Sequence, residues 1–186
     1  MPVAKSASLF VVVVYLATSL SVSAQADQLS HSLRLSKADK RSLDSSVPSQ
    51  VRNFLESADS LKVFAQMLVE DGKLQPAMDR DFVPSFEAVV SNRAMRSTLL
   101  KAFYFEASKG ESPAICYLPS HAIVAEEKGR KVIIEICFGC NRFYISGALG
   151  TFKGTFTRKS SETERLISTI VTDLGVTTKQ VWPKNS

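Results

Sequence analysis

All three cysteines and one of the two histidines of this 186-residue chain fall between Cys116 and Cys140, in the spacing C-x4-H-x15-C-x2-C. Thiols and imidazoles form disulfides, bind soft metals and act as nucleophiles. The side-chain chemistry of this protein is therefore expected at Cys116, His121, Cys137 and Cys140. Four readings stand side by side. In the first, Cys116 and Cys140 form a disulfide and Cys137 remains a free, buried thiol. In the second, Cys116, His121, Cys137 and Cys140 complete a tetrahedral zinc set, structural if closed and hydrolytic only with an open position. In the third, Cys137-Phe138-Gly139-Cys140 is a redox C-x-x-C pair. A strand running through it would withhold the helix N-terminus that activates such pairs. In the fourth, the thiols are reduced and buried. The disulfide is the preferred reading.

The elements that must position these residues form a hairpin. Ala114 to Glu126 and Lys131 to Ser146 are rich in β-branched and aromatic residues. Lys128-Gly129 lies between them, inside a charged run, as a two-residue turn. With Glu127 opposite Arg130, residue i pairs with 257 − i. His121 then faces Ile136, and Cys116 faces Asn141, one residue from Cys140.

The rest of the chain supplies the frame. Residues 27–46 read as a flexible polar lead, with a short helix around Leu33 to Leu43. A first helix is expected with Ser46 as its cap and Pro48 in its first turn, and with Val51, Phe54, Leu55 and Ala58 as its apolar stripe. Leu61 to Val69 reads as a strand and Asp71-Gly72 as a turn. Lys73 to Val83 reads as loop and Ser85 to Val90 as a weak strand. A second helix runs from Asn92 to Ser108, with Arg93, Arg96, Lys101 and Glu106 toward water. After the hairpin come a turn at Gly147 to Gly150 and a strand at Thr151 to Thr157. Ser161-Glu162-Thr163-Glu164 fits a capping box opening a last helix, which Gly175 ends. The fold class is α+β: a small antiparallel sheet of four to five strands, with about three helices packed mainly on one face. Residues 47–178 form the single domain and 179–186 a polar tail.

Residues 1–26 have the make-up of a secretory signal peptide. Lys5 precedes the apolar run Leu9 to Ala17, and small residues allow cleavage after Ala24 or Ala26. The expected location is secreted or periplasmic, with no membrane association once the signal is removed. After cleavage, 22 basic residues face 18 acidic ones, and the whole excess lies from Cys116 onward. That mild bias is compatible with acidic partners but is no nucleic-acid footprint. The chain has no Gly-rich phosphate loop, G-x-S-x-G or H-E-x-x-H motif. His31, far from any cysteine, reads as a surface residue.

Cys116-Tyr117-Leu118-Pro119-Ser120-His121-Ala122-Ile123 and Ile136-Cys137-Phe138-Gly139-Cys140 resemble a family of small uncharacterised bacterial proteins. That family's pattern reads C-F-x-P-R-H-G-I, a charged hairpin, then I-C-F-E-C. Ser120 stands where the family has Arg, and Gly139 where it has Glu. The resemblance extends loosely to Asn53 to Ala58 and to the last helix. It implies a bacterial origin and a Cys/His feature, and it carries no activity. The expectation is a secreted or periplasmic module that binds a protein or small molecule and is held by its Cys/His hairpin. The alternative is a metal- or thiol-dependent enzyme centred on Cys137, Cys140 and His121. A cofactor other than zinc is not indicated.

Overall fold

A computed structural model of the protein describes residues 35–70, 73–76, 85–110, 119–157 and 161–178. The expected signal peptide, the front of the polar lead with His31, Cys116 and the C-terminal tail lie outside the described residues.

The chain's alternating and helical apolar patterns become α1 (Lys37–Ser46), α2 (Ser49–Ser57), β1 (Ser60–Glu70), β2 (Lys73–Pro76), β3 (Ser85–Val89) and α3 (Arg93–Ser108). Then follow β4 (His121–Glu127), β5 (Arg130–Cys137), a 3-10 turn (Phe138–Cys140), β6 (Arg142–Gly147), β7 (Phe152–Thr155), α4 (Glu162–Leu174) and β8 (Val176–Thr178). Seven strands lie in the order β7-β6-β5-β4-β1-β3-β8, and β2 pairs β1 from outside this path. Every pairing is antiparallel.

The period of two along each strand puts Leu61, Val63 and Ala65 of β1, Ile123 and Ala125 of β4, and Val132, Ile134 and Ile136 of β5 on one face. These residues are buried in a single core with Leu55 of α2, Leu99 and Phe103 of α3, and Ile167 and Val171 of α4. Polar residues such as Lys62 and Glu87 alternate with them and pair across the other face at 2.6 Å. The α+β class and the antiparallel sheet are as expected. The sheet is larger, and there are four helices among the described residues rather than three.

The differences have local causes. The short helix expected in the polar lead is present, and it runs on to Ser46. Ser36 and Asp39 form a reciprocal capping box at its start, and Leu43 is buried in the core. Ser46 therefore ends α1 instead of capping the next helix, and Pro48 alone precedes α2. β2 pairs antiparallel with β1, with Glu70 opposite Lys73, and the expected Asp71-Gly72 turn lies outside the described residues. β8 adds to β3 just beyond the glycine that ends α4.

Arg96 and Glu106 are not free surface charges: Arg96 is half-buried and Glu106 buried, and each is bonded to a helix end. Arg96 donates to the carbonyls of Ala58 (2.7 Å) and Leu55 (2.6 Å), the free acceptors at the C-terminus of α2. Glu106 is buried and accepts from Ser161 Oγ (2.7 Å) and Thr163 N (3.2 Å) at the N-terminus of α4. One helix thus sets a cation at the negative end of α2 and a carboxylate at the positive end of α4. The capping serine is shared: Ser161 Oγ also accepts from Glu164 N at 3.1 Å.

Candidate functional site

The first hairpin has the expected register: His121 faces Ile136, and Glu127 faces Arg130. Both turn residues have positive φ, Lys128 at 49° and Gly129 at 75°. This left-handed pair matches the twist of the strands. A non-glycine residue at positive φ is strained, and the Lys128 amide is held by Asp59 Oδ2 at 2.9 Å.

The return strand does not continue to Ser146. It stops at Cys137, where Phe138–Cys140 form one 3-10 turn and Asn141 takes the left-handed conformation at φ 54°. Asn141 N bonds back to Phe138 O at 3.2 Å, and β6 starts at Arg142, directly opposite Cys137. The C-x-x-C segment is thus the loop of a second hairpin, not a stretch of strand.

This loop brings Cys137 and Cys140 together, with Cα atoms 5.2 Å apart, in a disulfide. The structure joins Cys140 to Cys137, a pair the sequence did not favour, and Cys116 of the preferred Cys116–Cys140 pair lies outside the described residues. The reason is the turn. The expected register ran β5 on past Cys137, and the chain reverses there instead, which brings Cys140 back to Cys137. Of the expected zinc set, His121, Cys137 and Cys140 are among the described residues and Cys116 is not. Sulfurs joined in a disulfide offer no thiolates. No group of three His, Cys, Asp or Glu side chains among the described residues could hold a metal.

His121 begins β4 on the core side and is 4% exposed. Its Nδ1 lies 2.9 Å from Ser120 Oγ. Its Nε2 is buried with no hydrogen-bond partner among the described residues. The ring meets Phe138 edge-on, with centroids 5.0 Å apart. Burial pulls its pKa down to about 4, so the imidazole is neutral at pH 7. Phe138 in turn stacks on Phe156 at 5.6 Å, and Phe156 packs against Phe143 at 5.0 Å and Phe103 at 5.7 Å. The residue between the cysteines is thereby anchored in the aromatic core.

The chemical capacity of this arrangement is narrow. Cys137 and Cys140 are each 3% exposed. A thiolate must reach one of these sulfurs to exchange with it. Neutral His121 supplies no positive charge to stabilise a leaving thiolate, and a single 3-10 turn supplies no helix dipole. The sequence placed His121 and Cys137 on neighbouring strands, as they are, but put Cys140 on a strand where the structure has a turn. It did not show that Phe138 would stand between the imidazole and the core. It also missed Ser120 as the partner of His121, although adjacent hydroxyl and imidazole groups were a readable signal.

No family model matches the chain, and no curated protein or solved structure is significantly similar to it.

Proposed function

We propose that this chain is an exported bacterial domain that acts by binding, and that its Cys137–Cys140 disulfide is a staple rather than a reaction centre. The observation that carries this reading is the sealing of the site. Both cysteines and His121 are buried, and Phe138 is packed between the imidazole and the aromatic core. The enzyme alternative needs a sulfur or an imidazole nitrogen that substrate can touch, and this packing disfavours it. The disulfide is consistent with an oxidising compartment, where such bonds persist. The basic excess of the chain's second half fits a binding role toward acidic ligands.

The test is the rate at which dithiothreitol opens Cys137–Cys140, followed by alkylation and peptide mass mapping. A staple is reduced only as the domain unfolds, so its rate rises steeply with added urea. Fast reduction of the fully folded protein, insensitive to urea below the unfolding transition, would identify a thiol-exchange centre and overturn the reading.

A further inference from the structure

A second feature lies on the same hairpin. Beside β6 and β7 is a cleft of about 420 Å³, within the range of small-molecule sites. Its walls come from three elements: Ser42, Ser45 and Ser46 of α1, the C-terminal end of α3, and Arg142 and Lys153 of β6 and β7. Among the described residues, no carboxylate lines it.

The two cations are placed to act together. Arg142 pairs with Thr155 across the β6–β7 ladder, and Lys153 pairs with Tyr144. Arg142 and Lys153 are therefore diagonal neighbours on one face, a separation that long side chains span. Neither is in an ion pair or hydrogen bond among the described residues, whereas Arg52, Lys62, Lys109 and Arg165 each have a carboxylate. Lys109, the other cation at this end of α3, is already neutralised by Asp39 at 2.6 Å. Arg142 is half-buried. A guanidinium carries five donors in a fixed fork that suits a carboxylate or phosphate, and partial burial raises the cost of leaving them empty.

The opposite wall is of another kind. Ser45 Oγ and Ser46 Oγ spend their protons on the Ser42 carbonyl, at 2.7 and 3.1 Å. Their oxygens remain as acceptors, so this wall suits a ligand that donates from hydroxyl groups. We propose that the cleft binds a small hydroxylated organic anion, a sugar phosphate or sugar acid. Arg142 and Lys153 take the anionic group, and the α1 serines take the hydroxyls. The proposal rests on the binding reading above and names its surface and ligand class. It also gives the staple a purpose, since the disulfide closes the turn that delivers Arg142.

The test uses the full oxidised chain and its R142Q/K153Q variant. Each is titrated calorimetrically with glucose 6-phosphate, gluconate, inorganic phosphate and glucose at constant ionic strength. Saturable binding of glucose 6-phosphate or gluconate is expected, with glucose inert. The charge-neutral variant should bind at least about tenfold more weakly with its melting temperature unchanged, the loss expected for charge-assisted hydrogen bonds. Glucose 6-phosphate binding alone would name the phosphate, and gluconate binding alone the carboxylate; either supports the site. No saturable binding of either, or equal binding by the variant, would overturn it. Peptide mapping of the same sample separates this failure from that of the staple: a cleft without ligand beside an intact Cys137–Cys140 bond removes only this inference.

Discussion

Phe138 stands edge-on to His121, its ring centroid 5.0 Å from the imidazole and the planes at 70°. A residue of the C-x-x-C loop thereby closes the histidine off, and the two features that looked reactive in the sequence shield one another. The consequence is a titration effect rather than a reaction. His121 is held down to about 4 by burial, against 6.5 for a free imidazole. A depressed folded pKa means that the unfolded chain takes up the proton first. The stability that His121 contributes is complete above pH 6.5 and is lost as pH falls toward 4, about 3 kcal/mol in all. Urea unfolding of the wild type and His121→Gln across this window checks it. The wild type should lose stability relative to the variant as pH falls. A parallel pair of curves contradicts the assignment. Glu106, whose pKa burial raises, has the opposite sign: it loses stability as pH rises through its folded pKa. The difference between the two proteins cancels that contribution.

The disulfide closes a very short loop, from Cys137 to Cys140. Chain-entropy arguments give such a loop about 2 kcal/mol, less than a bond spanning a domain. Cys137→Ser with Cys140→Ser should lower the unfolding free energy by that amount, seen as a lower urea midpoint with an unchanged slope. The variant should keep its far-ultraviolet circular dichroism spectrum.

Arg96 offers a stricter test of the helix contacts. Arg96→Ala strips both carbonyls at the end of α2 of a charged donor and should cost about 2 kcal/mol. Arg96→Lys should recover only part of it, because one ammonium does not reproduce the forked geometry. Glu106→Ala should cost a similar amount by freeing Ser161 Oγ and Thr163 N. Chemical denaturation of the three variants measures these values.

Two glycines should respond in opposite ways. A Cβ on Gly154 would lie 2.2 Å from the Phe143 ring, inside the aromatic cluster, so Gly154→Ala should cost about 1–3 kcal/mol. A Cβ on Gly139, at the tip of the disulfide turn, would meet nothing within 4 Å. Gly139→Ala should change stability by less than about 0.5 kcal/mol. Thermal unfolding distinguishes the two.

Periodicity made much of this architecture legible. β1, α3, the β4–β5 register and the start of α4 follow from apolar spacing and from caps such as Asn92 and Ser161, whose side chains both accept helix-terminal amides. The short strands β2 and β8 were not legible because their identity depends on the neighbours they pair with, β1 and β3, more than on their own residues. The break after Cys137 was hidden for a related reason. Ile136-Cys137-Phe138 reads as strand, and only the left-handed Asn141 and the bond from its amide to Phe138 O turn the chain. Arg96 and Glu106 looked like surface charges because what makes each one useful, a helix end supplied by a distant segment, is absent from its own neighbourhood. The Cys137–Cys140 bond was hidden with the strand break, since the expected register carried β5 straight through the turn that joins these two residues.

The central claim is that Cys137 and Cys140 form a sealed staple. Peptide mass mapping of the purified protein, blocked with iodoacetamide before denaturation and digested without reduction, tests it most directly. An intrachain Cys137–Cys140 link is expected, with neither residue alkylated. A Cys116–Cys140 link, or Cys137 and Cys140 both alkylated in the native protein, would contradict it.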